Sequence, residues 1–219
     1  AGVAFTQGIA FAFDDDRTLE PGERILLVAD PASFEQAFGA GLPVRGTYSG
    51  RLANSGERHT LSSADGSAIH SFRFSDQAPW PADADGTGYS LTLIAPETAP
   101  DHNLPANWRT SKGIGGSPGS SDASTFTGDP ATGLLDYALG DPKATGIRLV
   151  DGVAVFEFPR RIGADDVEFT IELSDDLTVW REGETSFLGQ SGRSGDIATS
   201  SWAIAGAIPV RQYARLVVS

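Results

Sequence analysis

The chain contains no cysteine among its 219 residues. That excludes disulfides, thiolate catalysis and cysteine-ligated metal. Cytosolic chains usually keep some buried cysteine, so the absence fits export. Methionine is absent too, and the expectation is a stretch of a longer reading frame whose start was removed by processing or cloning. No run of about 18 apolar residues occurs, so no membrane-spanning helix is expected. Basic residues are few: 16 Lys and Arg stand against 29 Asp and Glu, for a net charge of -13. A field of that sign repels nucleic acid and anionic lipid, which are discounted as partners, and accommodates cations. The acidity is even, with 15 acidic and 8 basic residues in 1–122 and 14 and 8 in the remainder. It therefore reads as a solvated coat more than a focused site.

Catalytic signatures are missing as well. No G-x-S-x-G turn presents a serine before a helix. Glu168 and Glu172 share one face of an extended segment, about 13 Å apart, which is too far for a glycosidase pair at about 5–9.5 Å.

What is present is strand and turn. Residues 2–8 (GVAFTQG) and 9–13 (IAFAF) read as strand, turn, strand. Residues 24–28 (RILLV) form a short strand after the turn Glu20-Pro21-Gly22-Glu23. Asp30-Pro31 opens a helix over 31–38, because Asp accepts from free amides at a helix start and Pro has none to lose. Phe34 and Phe38 share a face, and Gly39 and Gly41 end it. Strands follow at 58–61, 68–74 and 89–94, with Asp65-Gly66 expected as a two-residue hairpin turn. Residues 111–125, rich in Gly and Ser without apolar period, read as a linker. Beyond it lie a short helix around 134–139, closed by Gly140, and strands at 146–150, 153–158, 167–173, 198–205 and 212–218. In 167–173, Val167, Phe169, Ile171 and Leu173 alternate cleanly with Glu168, Thr170 and Glu172. The expected fold class is all-β: two antiparallel β-sandwich domains at 1–110 and 126–219, each with at most one short helix.

The runs GIAFAF, LEPGERILLVADPASFEQAFG, YSGRLANSGERHTLSSADGSAI, SDQAPWPADADGTGYSLTLI and DHNLPANWRTS with GGSPG resemble, in order and spacing, the lamin-tail domain of exported multidomain bacterial proteins. The resemblance covers about residues 1–119 and implies an immunoglobulin-like sandwich. Bacterial members usually open with an isoleucine-asparagine-glutamate strand and a phenylalanine-isoleucine-glutamate-leucine strand, neither of which is here. The resemblance therefore implies an N-terminally incomplete domain, with an exposed sheet edge near Val3–Phe13 or another chain paired there. Residues 129–139 (DPATGLLDYAL), Gly140-Asp141-Pro142, Val155–Phe158 and the closing YARLVV resemble a segment and β domain common in the same exported proteins.

Several constellations could carry chemistry. Trp80, held between two prolines, and Trp108 could stack on a sugar or peptide, although large aromatics in β domains more often close the core. Asp83 and Asp85 lie in a glycine-rich loop that could give calcium two carboxylates; the ordinary reading is a turn. Asp14-Asp15-Asp16 is a similar case. Asp129, with Asp136 and Asp141, flanks the second helix. In related proteins that stretch resembles a calcium loop, but Pro130-Ala131-Thr132-Gly133 replaces it here, leaving Asp129 as a helix cap. His59 and His70 could face each other across the Asp65-Gly66 hairpin, without an evident third zinc ligand. The expected function is a non-catalytic structural or interaction module of a larger exported protein, secreted or in the cell envelope. Its partner would be a protein or glycan at the cell surface, with no cofactor beyond calcium. The alternative is a carbohydrate-binding accessory module of a secreted enzyme, with Trp80 and the Asp83–Asp85 loop at one end.

Overall fold

The computed structural model describes residues 2–14, 17–206 and 212–219. Its strands and helices run in order β1 (Ala4–Gln7), β2 (Ile9–Ala12), β3 (Leu26–Val28), α1 (Pro31–Phe38), β4 (Val44–Thr47), β5 (Ser49–Gly50), β6 (Arg58–Ser62), β7 (Ala68–Arg73), β8 (Tyr89–Leu93), β9 (Trp108–Ile114), α2 (Pro130–Leu139), β10 (Gly146–Val150), β11 (Val153–Arg161), β12 (Phe169–Ser174), β13 (Arg181–Glu182), β14 (Thr185–Ser194), β15 (Ile197–Ile204) and β16 (Tyr213–Val218). The fold is all-β, with two short α-helices among the described residues.

Local chemistry explains both helices. Asp30 Oδ1 accepts from Ala32 N at 3.1 Å and starts α1, and Gly39, at φ 87°, stops it. Asp129 Oδ1 accepts from Ala131 N at 3.0 Å and starts α2. Both caps satisfy an amide that the first helical turn leaves free.

Five strands of the N-terminal half form a sheet in the order β5-β2-β1-β6-β7. Strand β1 pairs with β2 on one side, Phe5 opposite Phe11, and with β6 on the other, Phe5 opposite Leu61. The free edge expected near Val3–Phe13 is therefore covered in part by this chain itself: β1 is interior, and Ile9 and Ala10 of β2 pair with Gly50 and Ser49, while Phe11 and Ala12 have a ladder partner only in β1 among the described residues. The reason is long-range, since β6 lies some fifty residues downstream. The β6–β7 connection also differs from a two-residue turn. Ser63 N donates to Ser67 O at 2.8 Å, so Asp65-Gly66 sits at the tip of a longer loop. Asp65 there accepts from the Ser63 hydroxyl and Ser67 N, which holds its carboxyl down at about 2.

Two small pairs face this sheet. Parallel β3–β4 approaches it at Gly46, where an added Cβ would overlap the Phe11 ring at 2.3 Å. Antiparallel β8–β9 approaches at Trp108, stacked on Phe72 with centroids 5.5 Å apart.

The continuous core lies in the C-terminal half. A sheet β10-β11-β15-β14 and a sheet β13-β12-β16 enclose Phe156, Phe158, Val167, Ile171, Leu173 and Ile204, with Ala138 and Leu139 of α2. The alternation expected in 167–173 holds: Val167, Ile171 and Leu173 are buried, and Glu168 is exposed.

The Gly/Ser stretch expected as a linker begins inside β9, which runs to Ile114. Its later part is tied down too, because Ser124 N donates to Gly163 O at 2.7 Å and Lys112 Nζ donates to Ser124 Oγ at 2.9 Å. Composition alone could not show these partners.

Phe158 is 2 % exposed and packs on Phe169, centroids 5.3 Å apart. Phe158→Ala should cost about 3–5 kcal/mol of stability. Leu149→Ala, in edge strand β10 and 67 % exposed, should change it by less than about 0.5 kcal/mol. Guanidinium unfolding of the two variants checks the contrast, and equal midpoints would contradict this placement of the core.

Candidate functional site

An apolar cavity of about 720 Å³ lies between the five-stranded sheet and the two facing pairs. Phe5, Leu61 and Phe72 form one wall, and Leu27, Leu91 and Trp108 the other. The register explains the first wall. Leu61 pairs with Phe5 and His70, and His59 pairs with Phe72, so alternate residues of β6 and β7 point the same way. Leu19 and Leu52 at the mouth are 46 % and 47 % exposed. Protein interiors keep few voids larger than a water molecule. This one is open on one side, so its apolar walls face solvent.

Strand β3 pairs only with β4, and β8 only with β9, among the described residues. Each contributes a leucine to the cavity, Leu27 and Leu91, and each leaves one strand edge without a ladder partner. The site thus joins an apolar trough to two unpaired backbone edges.

An aromatic row runs along it. His59 stacks against Phe72 and Phe74 at 5.6 and 5.5 Å, Phe72 against Trp108, and Trp108 against Trp80 at 5.9 Å. Burial pushes the His59 imidazole below its ordinary pKa; Glu57, 3.8 Å away, opposes this less strongly. His59 is therefore a neutral part of the wall at pH 7. His59 pairs in register with Phe72 and not with His70; His70 lies against His102 instead, with Nε2 and Nδ1 2.5 Å apart. Burial, and then His70, push His102 below its ordinary pKa.

The residues singled out from sequence are scattered. Trp80 and Trp108 are each 8 % exposed. Trp108 lines the cavity, while Trp80 lies behind it against Trp108. Asp83 lies in a 3-10 turn, Ala82–Ala84, and Asp85 closes it. Asp129 caps α2. Asp15 and Asp16 lie outside the described residues. Among the described residues no three His, Asp or Glu side chains converge to hold a metal. Sequence reading missed the cavity because its walls come from seven strands and loops spread over a hundred residues. It also missed Arg109.

Arg109 is 2 % exposed. Its Nε and Nη2 donate to the two oxygens of Asp165 at 2.6 and 2.7 Å, and Nη1 donates to Asp122 Oδ2 at 2.6 Å and Thr110 O at 3.0 Å. Asp122 also accepts from Lys112 N and Ser117 Oγ, both at 2.8 Å. Desolvation alone would lower the Arg109 pKa, but Asp165 and Asp122 together raise it. For Asp122, desolvation pushes the carboxyl up, and the bonds from Arg109, Lys112 and Ser117 outweigh it, leaving the pKa below 3.8. A cleft of about 530 Å³ and mixed polarity opens beside this cluster, lined by Arg24, Ser90, Asp122 and Asp165 together with Leu91, Leu93 and Pro118. A second arginine reinforces the junction. Arg193 of β14 donates to Thr110 Oγ1, Ser111 O and Lys112 O at 3.0, 2.8 and 2.6 Å, and its guanidinium lies 3.8 Å from the Tyr89 ring centroid.

Arg109→Met leaves two buried carboxylates without their cation and should cost about 3–5 kcal/mol, read as a lower denaturant midpoint. An unchanged midpoint would contradict the cluster. Asp122 adds a pH dependence of definite sign. Its folded pKa is depressed, so its contribution is present above the unfolded value near 3.8 and is lost as pH falls through the folded one. Asp122→Asn should therefore flatten the acid limb of a stability profile below about pH 3.8.

Set beside known proteins, the chain matches no family model, no curated protein and no solved structure.

Proposed function

We propose that this chain is a non-catalytic interaction module of a larger exported protein, secreted or in the cell envelope, whose cavity takes up an extended apolar segment of a partner polypeptide. One observation carries the reading: an open apolar trough of about 720 Å³ flanked by the single-sided strands β3 and β8. An added strand would gain backbone hydrogen bonds from an unpaired edge and place every second side chain into the trough. Each Val, Leu, Ile or Phe so buried contributes about 1.5–3 kcal/mol, enough for three or four to offset the ordering of a short peptide. Export is supported by the resemblance to exported bacterial proteins and by the cysteine-free composition.

The test uses the full chain and 8-anilinonaphthalene-1-sulfonate, a dye that fluoresces on apolar surface. Natively folded protein, verified by near-ultraviolet circular dichroism, should enhance the dye, and a lysine-flanked peptide of alternating valine and threonine should displace it. Leu52→Asp, at the half-exposed mouth, should weaken dye and peptide together by at least about fivefold. Absence of enhancement, or dye that the peptide fails to displace, would overturn strand uptake.

A further inference from the structure

A pair of imidazoles meets where the cavity face of β7 ends. His70 lies in this edge strand, and His102 lies in the loop before the 3-10 turn Pro105–Asn107. Their facing nitrogens, Nε2 and Nδ1, are 2.5 Å apart, with ring planes at 71°. The loop is held independently of that contact. Asn103 N and Nδ2 donate to Asp101 Oδ1 at 2.9 and 3.1 Å, Trp108 Nε1 donates to His102 O at 2.9 Å, and Arg73 N donates to Asn103 Oδ1 at 3.3 Å. The backbone thus presents the two rings to each other, and their mutual bond is not what fixes the loop.

Two neutral rings placed this way share one proton between facing nitrogens. Moving that proton to the far nitrogen of its own ring frees both lone pairs. Imidazole suits Cu²⁺, Ni²⁺ and Zn²⁺, whereas Ca²⁺ and Mg²⁺ take oxygen. With metal–nitrogen bonds of about 2.0–2.1 Å, two nitrogens stand about 2.9 Å apart at neighbouring corners of a square and about 3.3 Å apart in a tetrahedron, so either arrangement needs the facing nitrogens to open from their present contact. For such a site affinity is highest for Cu²⁺ and lower for Ni²⁺ and Zn²⁺. Solvent reaches both rings, His70 being exposed and His102 half-buried. The net charge of -13 attracts a cation to the surface.

The geometry points to His70 and His102 as a surface site for Cu²⁺, both imidazoles binding at neighbouring corners and water completing the square.

Titration of the full chain with Cu²⁺ at pH 7.5 tests this. One ion should bind per chain, with two nitrogens resolved in the electron paramagnetic resonance spectrum. His70→Asn and His102→Asn should each weaken binding at least about tenfold, and Zn²⁺ should bind the native chain at least about tenfold more weakly than Cu²⁺. A second measurement needs no variant: Cu²⁺ should protect His70 and His102 from acylation by diethyl pyrocarbonate. Equal affinity in both variants, or unchanged acylation of the two histidines with Cu²⁺ present, would overturn the site.

Discussion

The buried cation Arg109 is the point on which the rest of this structure depends. A guanidinium almost sealed from water survives only where its donors are used and its charge is met. Here Asp165 engages it with both oxygens and Asp122 with one. Each partner belongs to a different part of the chain. Arg109 is in β9, Asp122 in the Gly/Ser stretch and Asp165 in the turn after β11. The same ion cluster therefore orders a segment without apolar period and fixes the N-terminal sheets to the C-terminal core. Arg193 repeats the device a few residues away, reading three consecutive positions of β9 with one side chain.

The two halves differ sharply in how they are filled. The C-terminal half closes two sheets and α2 over phenylalanine and branched aliphatic side chains, several of them under 4 % exposed. The N-terminal half has comparable apolar strands, but its sheet and facing pairs enclose a cavity. Val28, Trp80 and Trp108 are its large buried hydrophobics among the described residues. The apolar surface facing that cavity is stability forgone in the free chain, and it is available to whatever the cavity receives.

His59 belongs to the cavity wall, and the His70–His102 pair lies beyond its end. His59 and His70 alternate along paired strands and point to the cavity side, yet they meet different surroundings. His59 is enclosed by two phenylalanine rings and behaves as an apolar plate. His70, two register positions toward the hairpin end, reaches the loop of His102 and open solvent. Two residues of one type on one face thus take separate roles through position alone.

Local signals in the sequence account for the secondary structure they control. Asp30-Pro31 and Asp129-Pro130 mark both helix starts, because capping depends on neighbouring residues. The alternation of Val167, Phe169, Ile171 and Leu173 marks β12, because a half-buried strand imposes period two. The all-β class follows from such segments. Strand β14 escaped notice since its glycines and serines carry no alternation; pairing with β15 makes it a strand. The same limit explains the remaining differences. The cover on β1 comes from Thr60–Ser62, the partner of Arg109 is 56 residues away, and that of His70 is 32 residues away. The solvent exposure of Trp80 and Trp108 was likewise set by packing between elements. Propensity, capping and turn chemistry act over a few residues, so the sequence by itself determined the elements and their class. Ion pairing, cavity walls and the meeting of side chains act across the fold, and only the tertiary structure decided them.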